Sequence, residues 1–259
     1  THTLFTALNG NLNYGENLTY LTGMPYDTMQ EVIGLTPKKQ GTLMQRGVKF
    51  SYAPLKDNGE IDYQEAKKVL LKNRPKIVAI QRSRGYATRK TYTVRQIKEM
   101  IDFIKKTSPK SLIFIDNCYG EFSEKHEPTE YGADFMAGSL IKNAGGGIAQ
   151  TGGYVVGRKD LIENTKIALT APGCADEGAT MSNLHDFYEG FFIAPNVVGM
   201  AEKGMIFAAA IFEKMGMNVT PRWGETRSDV IETIIFEDPD KMQKFVKEVQ
   251  KYSPVDSFV

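Results

Sequence analysis

Two residues stand where an α/β sheet could make them chemical. Lys142 ends the apolar run Phe135 to Ile141 and opens onto Asn143-Ala144-Gly145-Gly146-Gly147. A lysine at the end of a buried strand, before a glycine-rich turn, occupies a cleft position. Partial desolvation there would lower its pKa and make the amine a nucleophile toward carbonyls. Asp116 closes the apolar run Leu112 to Ile115 and is followed by Asn117. Open α/β sheets bind ligands at the carboxyl ends of their strands. A carboxylate buried there, with no lysine or arginine beside it in sequence, needs a cationic partner. On the residues alone, a surface lysine opening a loop and an aspartate capping a turn are the competing readings.

Other constellations are weaker. The stretch Gly145 to Gly153 does not match G-x-x-x-x-G-K-[ST]. Its glycines lack the Rossmann spacing, and a strand rather than a helix follows. Tight turns and close backbone approach are the better use of these glycines. A nicotinamide dehydrogenase is disfavoured on the same ground. The histidines, His2, His126 and His185, are scattered, so no zinc site is expected. There is no G-x-S-x-G elbow. The basic cluster Arg82-Ser83-Arg84 and Arg89-Lys90 follows the run Ile77 to Gln81. One of these arginines points into the same cleft, or the cluster is a solvated loop.

Positioning these residues requires alternating strands and helices. The short runs at Leu18–Thr22, Ile77–Gln81, Leu112–Asp116, Phe135–Ile141 and Tyr154–Val156 read as strands, several of them apolar throughout, as in parallel sheets. Thr93 and Gln96 form a capping box, and Val94, Ile97, Ile101 and Ile104 make one helix face. Asp62 caps a helix that buries Ala66, Val69 and Leu70. Asp238 and Pro239 open another, with Met242, Phe245, Val246 and Val249 on its apolar side. Ala201 to Met215 reads as a helix ended by Gly216, and Arg227 to Phe236 alternates like a strand. The fold class is α/β with a mostly parallel sheet. Ala194-Pro195-Asn196 breaks the pattern, which divides the chain into a large domain, 1–195, and a connecting helix with the start of a smaller α+β domain, 196–259.

Composition narrows the function. The 259 residues carry 32 Lys and Arg against 31 Asp and Glu, a net charge of +1. No global field attracts nucleic acid or an anionic membrane. The longest apolar run, Met205 to Phe212, is too short to cross a bilayer. Two cysteines read as free thiols in a reducing, cytoplasmic compartment.

Taken together, Asp116-Asn117, then Gly132-Ala133-Asp134, then Ser139-Leu140-Ile141-Lys142, then Gly152 to Gly157 resemble the core of fold type I pyridoxal-phosphate enzymes. The order is similar to that of the cystathionine and methionine gamma-lyase branch. With Gln81 to Tyr86 and Gly145 to Gly153 added, it resembles the bacterial aluminium-resistance proteins of that branch. The resemblance runs from Thr1 to Val259 and extends past both ends, as an internal fragment of a longer family member would. It implies that Lys142 carries pyridoxal phosphate as a Schiff base and shuttles protons, and that Asp116 pairs with the pyridinium nitrogen. It further implies that Tyr26 stacks on the ring and that Ser139 with Thr1 and His2 holds the phosphate. Arg84 becomes a catalytic candidate meeting the cofactor hydroxyl or the substrate carboxylate, with Arg227 as the other carboxylate candidate. The implied activity is carbon–sulfur β- or γ-elimination on a sulfur-containing amino acid, by a homodimer or homotetramer. Transamination or racemisation with the same cofactor, or a non-catalytic tolerance protein retaining the fold, are the alternatives. Two departures bear on substrate: Ile141 replaces the branch's threonine, and Gln81 to Arg84 replace a Pro-x-Asn-Pro.

Overall fold

A computed structural model describes residues 1–36, 40–87, 89–174 and 184–253. In chain order its elements are α1 (His2–Asn11), β1 (Asn17–Tyr20), α2 (Asp27–Ile33), β2 (Lys49–Tyr52), α3 (Tyr63–Asn73), β3 (Ile77–Gln81) and α4 (Val94–Thr107). Next come β4 (Leu112–Asp116), β5 (Phe135–Ser139), β6 (Gly153–Gly157), α5 (Lys159–Leu169), α6 (Leu184–Lys214), β7 (Asn218–Thr220), β8 (Thr233–Ile235) and α7 (Pro239–Tyr252). A six-stranded sheet has the order β2-β1-β3-β4-β5-β6. Its first five strands are parallel, and β6 closes the edge antiparallel to β5.

The apolar runs are continuous because both sheet faces are covered. Successive strand side chains point to opposite faces. Ile77, Ala79 and Phe114 join one core with Leu4 and Leu8 of α1 and Leu161 of α5. Val78, Ile80, Ile113 and Ile115 join the other with Ala66 and Leu70 of α3 and Ile97, Ile101 and Ile104 of α4. Each Val, Leu, Ile or Phe among them taken fully from water contributes about 1.5–3 kcal/mol. The helix starts are built as their sequences specify. Asp62 accepts from the Gln64 and Glu65 amides, each at 3.0 Å. Thr93 and Gln96 satisfy each other's backbone N–H groups, and Asp238 accepts from the Asp240 amide.

The chain divides into two units, Thr1–Ala201 with Arg227–Ile231, and Glu202–Thr226 with Glu232–Val259. Three expectations change here. The helical pattern does not stop at Ala194-Pro195-Asn196, since α6 runs through Pro195. Of the strand read over Arg227 to Phe236, only Thr233–Ile235 pairs, with β7. Arg227–Ile231 instead belongs to the first unit. Finally, α6 contains an 18-residue stretch of mean hydropathy 1.2, enough by length and composition alone to cross a membrane. A search for uninterrupted apolar runs misses it because Glu189, Glu202 and Lys203 punctuate the sequence.

Candidate active site

The parallel register aligns Gln81 with Asp116 and Asp116 with Ala137, so β3, β4 and β5 deliver their following turns to one edge. After β4 the chain bends sharply. Tyr119 takes φ 70° and Phe122 φ 62°, both in the left-handed region that side chains disfavour. Gly120 lies between them because a Cβ there would sit 2.5 Å from Cδ of Arg82. Arg82 is fully buried and anchors this bend. It donates to Asn117 Oδ1 at 2.9 Å and pairs with Glu124 and Glu127 at 3.1 Å each.

After β5 the turn carrying Lys142 is equally constrained. A Cβ on residue 145 would lie 1.5 Å from the Leu140 carbonyl oxygen, so the turn requires glycine there. Asn143 Nδ2 donates to the carbonyls of Tyr119 at 3.0 Å and Glu121 at 3.1 Å. The two turns are thereby tied together, and Lys142 Nζ lies 4.2 Å from the centroid of the Tyr119 ring.

Three cavities meet at this edge. One of about 190 Å³ is lined by Lys142, Asp116, Tyr26, Cys118, Tyr119 and Thr1. A second, of about 640 Å³, shares Thr1 and Cys118 with it and adds His2, Ser139, Gly152 and Gly153 at the start of α1. A third, of about 690 Å³, shares Tyr26, Gln81 and Tyr86 with the first and adds Arg84 and Lys56. Six of the residues singled out in the sequence therefore surround the lysine cavity or its neighbour at α1, and His2 and Ser139 stand only on the latter. Arg84 is buried and lines the third cavity, not that of the lysine. Arg227 is half-buried and lines none of the three.

The electrostatics follow from burial. Asp116 Oδ1 accepts from the Cys118 amide at 3.2 Å, and no lysine or arginine among the described residues forms an ion pair with this carboxylate. Desolvation raises its pKa, partly offset by the Cys118 hydrogen bonds and Lys142. Tyr26 is held neutral, its pKa raised by burial and then by the Asp116 charge. For Lys142 the direction differs from the sequence expectation. Burial works against the ammonium, but Cys118, Tyr119 and Asp116 outweigh it and the pKa is raised. Because burial pushes the Cys118 thiol well up and keeps it protonated, Asp116 is the neighbour whose charge favours the ammonium. Desolvation also raises Glu121 to about 7. Its Oε1 accepts from Tyr154 Oη at 2.7 Å, while its Oε2 is buried without a hydrogen-bond partner.

Tyr119, Cys118 and Gln81 were not singled out from sequence. The signal for Gln81 was present, since it ends an apolar strand as Asp116 does. Tyr119 owes its place to a left-handed bend that no residue pattern announces.

Comparison with known proteins places this arrangement. The family profile described as Methionine gamma-lyase matches residues 1–259. An uncharacterized protein of Lactobacillus delbrueckii subsp. bulgaricus is 68% identical over 237 residues, covering 91% of this chain and 78% of the relative. The carbon-sulfur lyase involved in aluminum resistance from Clostridium novyi NT superposes with a TM-score of 0.92 at 43% identity, covering 100% of this chain and 62% of that one. The pyridoxal-5'-phosphate dependent protein YhfS of Escherichia coli superposes with a TM-score of 0.68 at 16% identity, covering 96% and 62%, a likeness of fold alone. The chain thus spans less than two thirds of the length of these two solved proteins. It belongs to the methionine gamma-lyase family, on the fold type I architecture of pyridoxal-phosphate enzymes.

Proposed function

We propose that this protein is a pyridoxal-phosphate-dependent lyase that breaks a carbon–sulfur bond of an amino acid. The observation that carries the reading is one cavity lined by a lysine, a buried carboxylate without a cationic partner among the described residues, and the tyrosine Tyr26. The printed description of the Clostridium novyi protein as a carbon-sulfur lyase supports the reaction class.

The residues fit the cofactor. Asp116 would meet its pyridinium nitrogen, a charge-assisted contact that offsets the cost of burying both groups. Tyr26 would lie against the ring and Lys142 would bind the aldehyde. Ser139 and the start of α1 would hold the phosphate. That helix has no side-chain cap and no acidic residue in its first turn, so its free N–H groups suit an anion. When bound, the cofactor supplies an electron sink for negative charge on the substrate's α carbon.

Everything else falls to the chain. Nζ of Lys142 takes the proton from the substrate's α carbon and returns one to the departing sulfur. It takes that proton as the free amine, and the ammonium so formed, which its surroundings favour, is the donating form. Tyr119, under Nζ, limits how far the amine swings along the substrate and hence whether β- or γ-elimination follows. Arg84 opens the larger cavity to a substrate carboxylate. A homodimer or homotetramer fits the exposed Tyr188, Phe192 and Phe207 of α6, and a cytoplasmic location fits two free cysteines.

Incubating the full-length protein with L-cystathionine, L-cysteine and L-methionine, and assaying thiol and oxo acid separately, tests the reaction. Thiol and oxo acid released together support elimination. Oxo acid formed only with an added amino acceptor means transamination, and loss of optical activity alone means racemisation.

A further inference from the structure

The segment Arg227–Ile231 brings one carboxylate back to the first unit from far along the chain. Asp229 is 1% exposed and lies 146 residues from its partner Ser83. A single oxygen, Oδ2, accepts from Ser83 Oγ at 2.6 Å and from Thr91 Oγ1 at 2.5 Å. The other, Oδ1, accepts from the Ile231 amide at 3.2 Å. Each hydroxyl, having given its only proton to Asp229, uses a lone pair to accept a backbone N–H. Ser83 Oγ accepts from Gly85 at 3.2 Å, and Thr91 Oγ1 accepts from Arg84 at 3.1 Å. The direction of every bond in this relay is set by one fact, that a carboxylate only accepts.

Arg89 closes the same turn from its far end. Its Nη2 donates to the carbonyls of Gln81 at 2.9 Å and Ser83 at 2.7 Å; burial lowers its pKa, and Tyr92 and Asp229 offset part of that cost. The turn so held carries Arg84 and Tyr86 into the cavity of about 690 Å³, and Gly85 and Tyr86 into the lysine cavity. Asp116 and Lys142 are set by their own strands and by Asn143, and take no part in the relay.

We propose that Asp229 is a positioning residue for the substrate side of the site, fixing the Arg84–Tyr86 turn through the hydroxyls of Ser83 and Thr91. What the turn meets rests on the lyase reading above; the relay itself does not. Asp229→Asn is the sharp test, because it keeps the shape and removes the pattern. Turned either way, the amide sets an NH₂ group against hydroxyls that must donate or against the Ile231 N–H.

Amide hydrogen exchange on the full-length protein reads the relay without any substrate. In Asp229→Asn the Arg84 and Gly85 amides should exchange about tenfold faster, the factor corresponding to one lost hydrogen bond of ordinary strength. Amides of β3 and β4 should not change. Thr91→Val should reproduce the effect and Thr91→Ser should not, so the result does not hang on one variant's folding. With pyridoxal phosphate bound, the absorbance band should persist while KM for an accepted amino acid rises more than kcat falls. Unchanged exchange at Arg84 and Gly85 in both Asp229→Asn and Thr91→Val would overturn the proposal. So would loss of the cofactor band together with faster exchange throughout the sheet, which would make Asp229 a support of the whole fold. A parent that turns over no amino acid would count against the lyase reading, while the exchange result would still decide the relay.

Discussion

At the scale of single residues, the chemistry reduces to which charges the fold leaves unpaired. Asp116 is buried beside a cavity with one backbone donor, so a cationic ring nitrogen there gains a charge-assisted contact worth about 1.5–3 kcal/mol. Asp116→Asn should therefore weaken pyridoxal-phosphate binding by about tenfold to a hundredfold, measured by equilibrium titration; unchanged affinity would remove Asp116 from the cofactor. Glu121 gives a different signature. Its carboxyl titrates near 4.5 when unfolded and at about 7 in the fold. Between those values the unfolded chain has lost a proton that the folded chain keeps, so stability falls as pH rises through the window. The loss is on the order of 3 kcal/mol in total. Glu121→Gln should flatten this slope in melts taken from pH 4.5 to pH 7, and an unaltered slope would show that other groups cause it. The place of Asp116 and Lys142 at one cavity was legible in the sequence because Asp116 ends a short apolar strand and Lys142 follows another by three residues, each before a turn. Glu121 and Asp229 were not, because their importance lies in partners 33 and 146 residues away.

At the scale of elements, the site depends on three strands ending level and on two turns locked to each other. The bend after β4 is tied to the start of α4, which is fixed by the Thr93–Gln96 box and by a hydrogen bond from the Val94 amide to Glu124 Oε1 at 2.8 Å. Glu124 in turn pairs with Arg82, which anchors the bend after β4. Thr93→Ala should cost about 1 kcal/mol in denaturant unfolding, as loss of such caps does. A midpoint unchanged beyond error would mean that tertiary packing alone holds this helix start. The central strands and α3, α4 and α7 could be read from apolar runs and caps. The edge strand β2 could not: it has only partly buried or exposed side chains and shows no apolar run. The strand pattern over Arg227–Ile231 misled because this segment is held by the Asp229 carboxylate and by the Val230 amide, which donates to the Tyr119 carbonyl at 3.2 Å, and not by a neighbouring strand.

At the scale of the whole molecule, a cofactor that binds only the folded chain stabilises it by mass action. At a concentration of pyridoxal phosphate a hundredfold above its Kd, unfolding should cost about 2.7 kcal/mol more. The melting temperature of the full-length protein should rise with added cofactor, and an invariant melting temperature would indicate no folded-state binding. The α/β class was readable from alternation, whereas the extent of α6 was not, because the pattern breaks at Pro195 and at scattered charges while the helix continues. The most direct test of the central claim is an absorbance spectrum of the full-length protein loaded with pyridoxal phosphate, beside Lys142→Ala, followed by borohydride reduction and peptide mapping. A band at about 420 nm in the parent, lost in the variant and leaving the cofactor fixed on the Lys142 peptide after reduction, is the predicted result. A parent without the band, or a label fixed on another lysine, would contradict it.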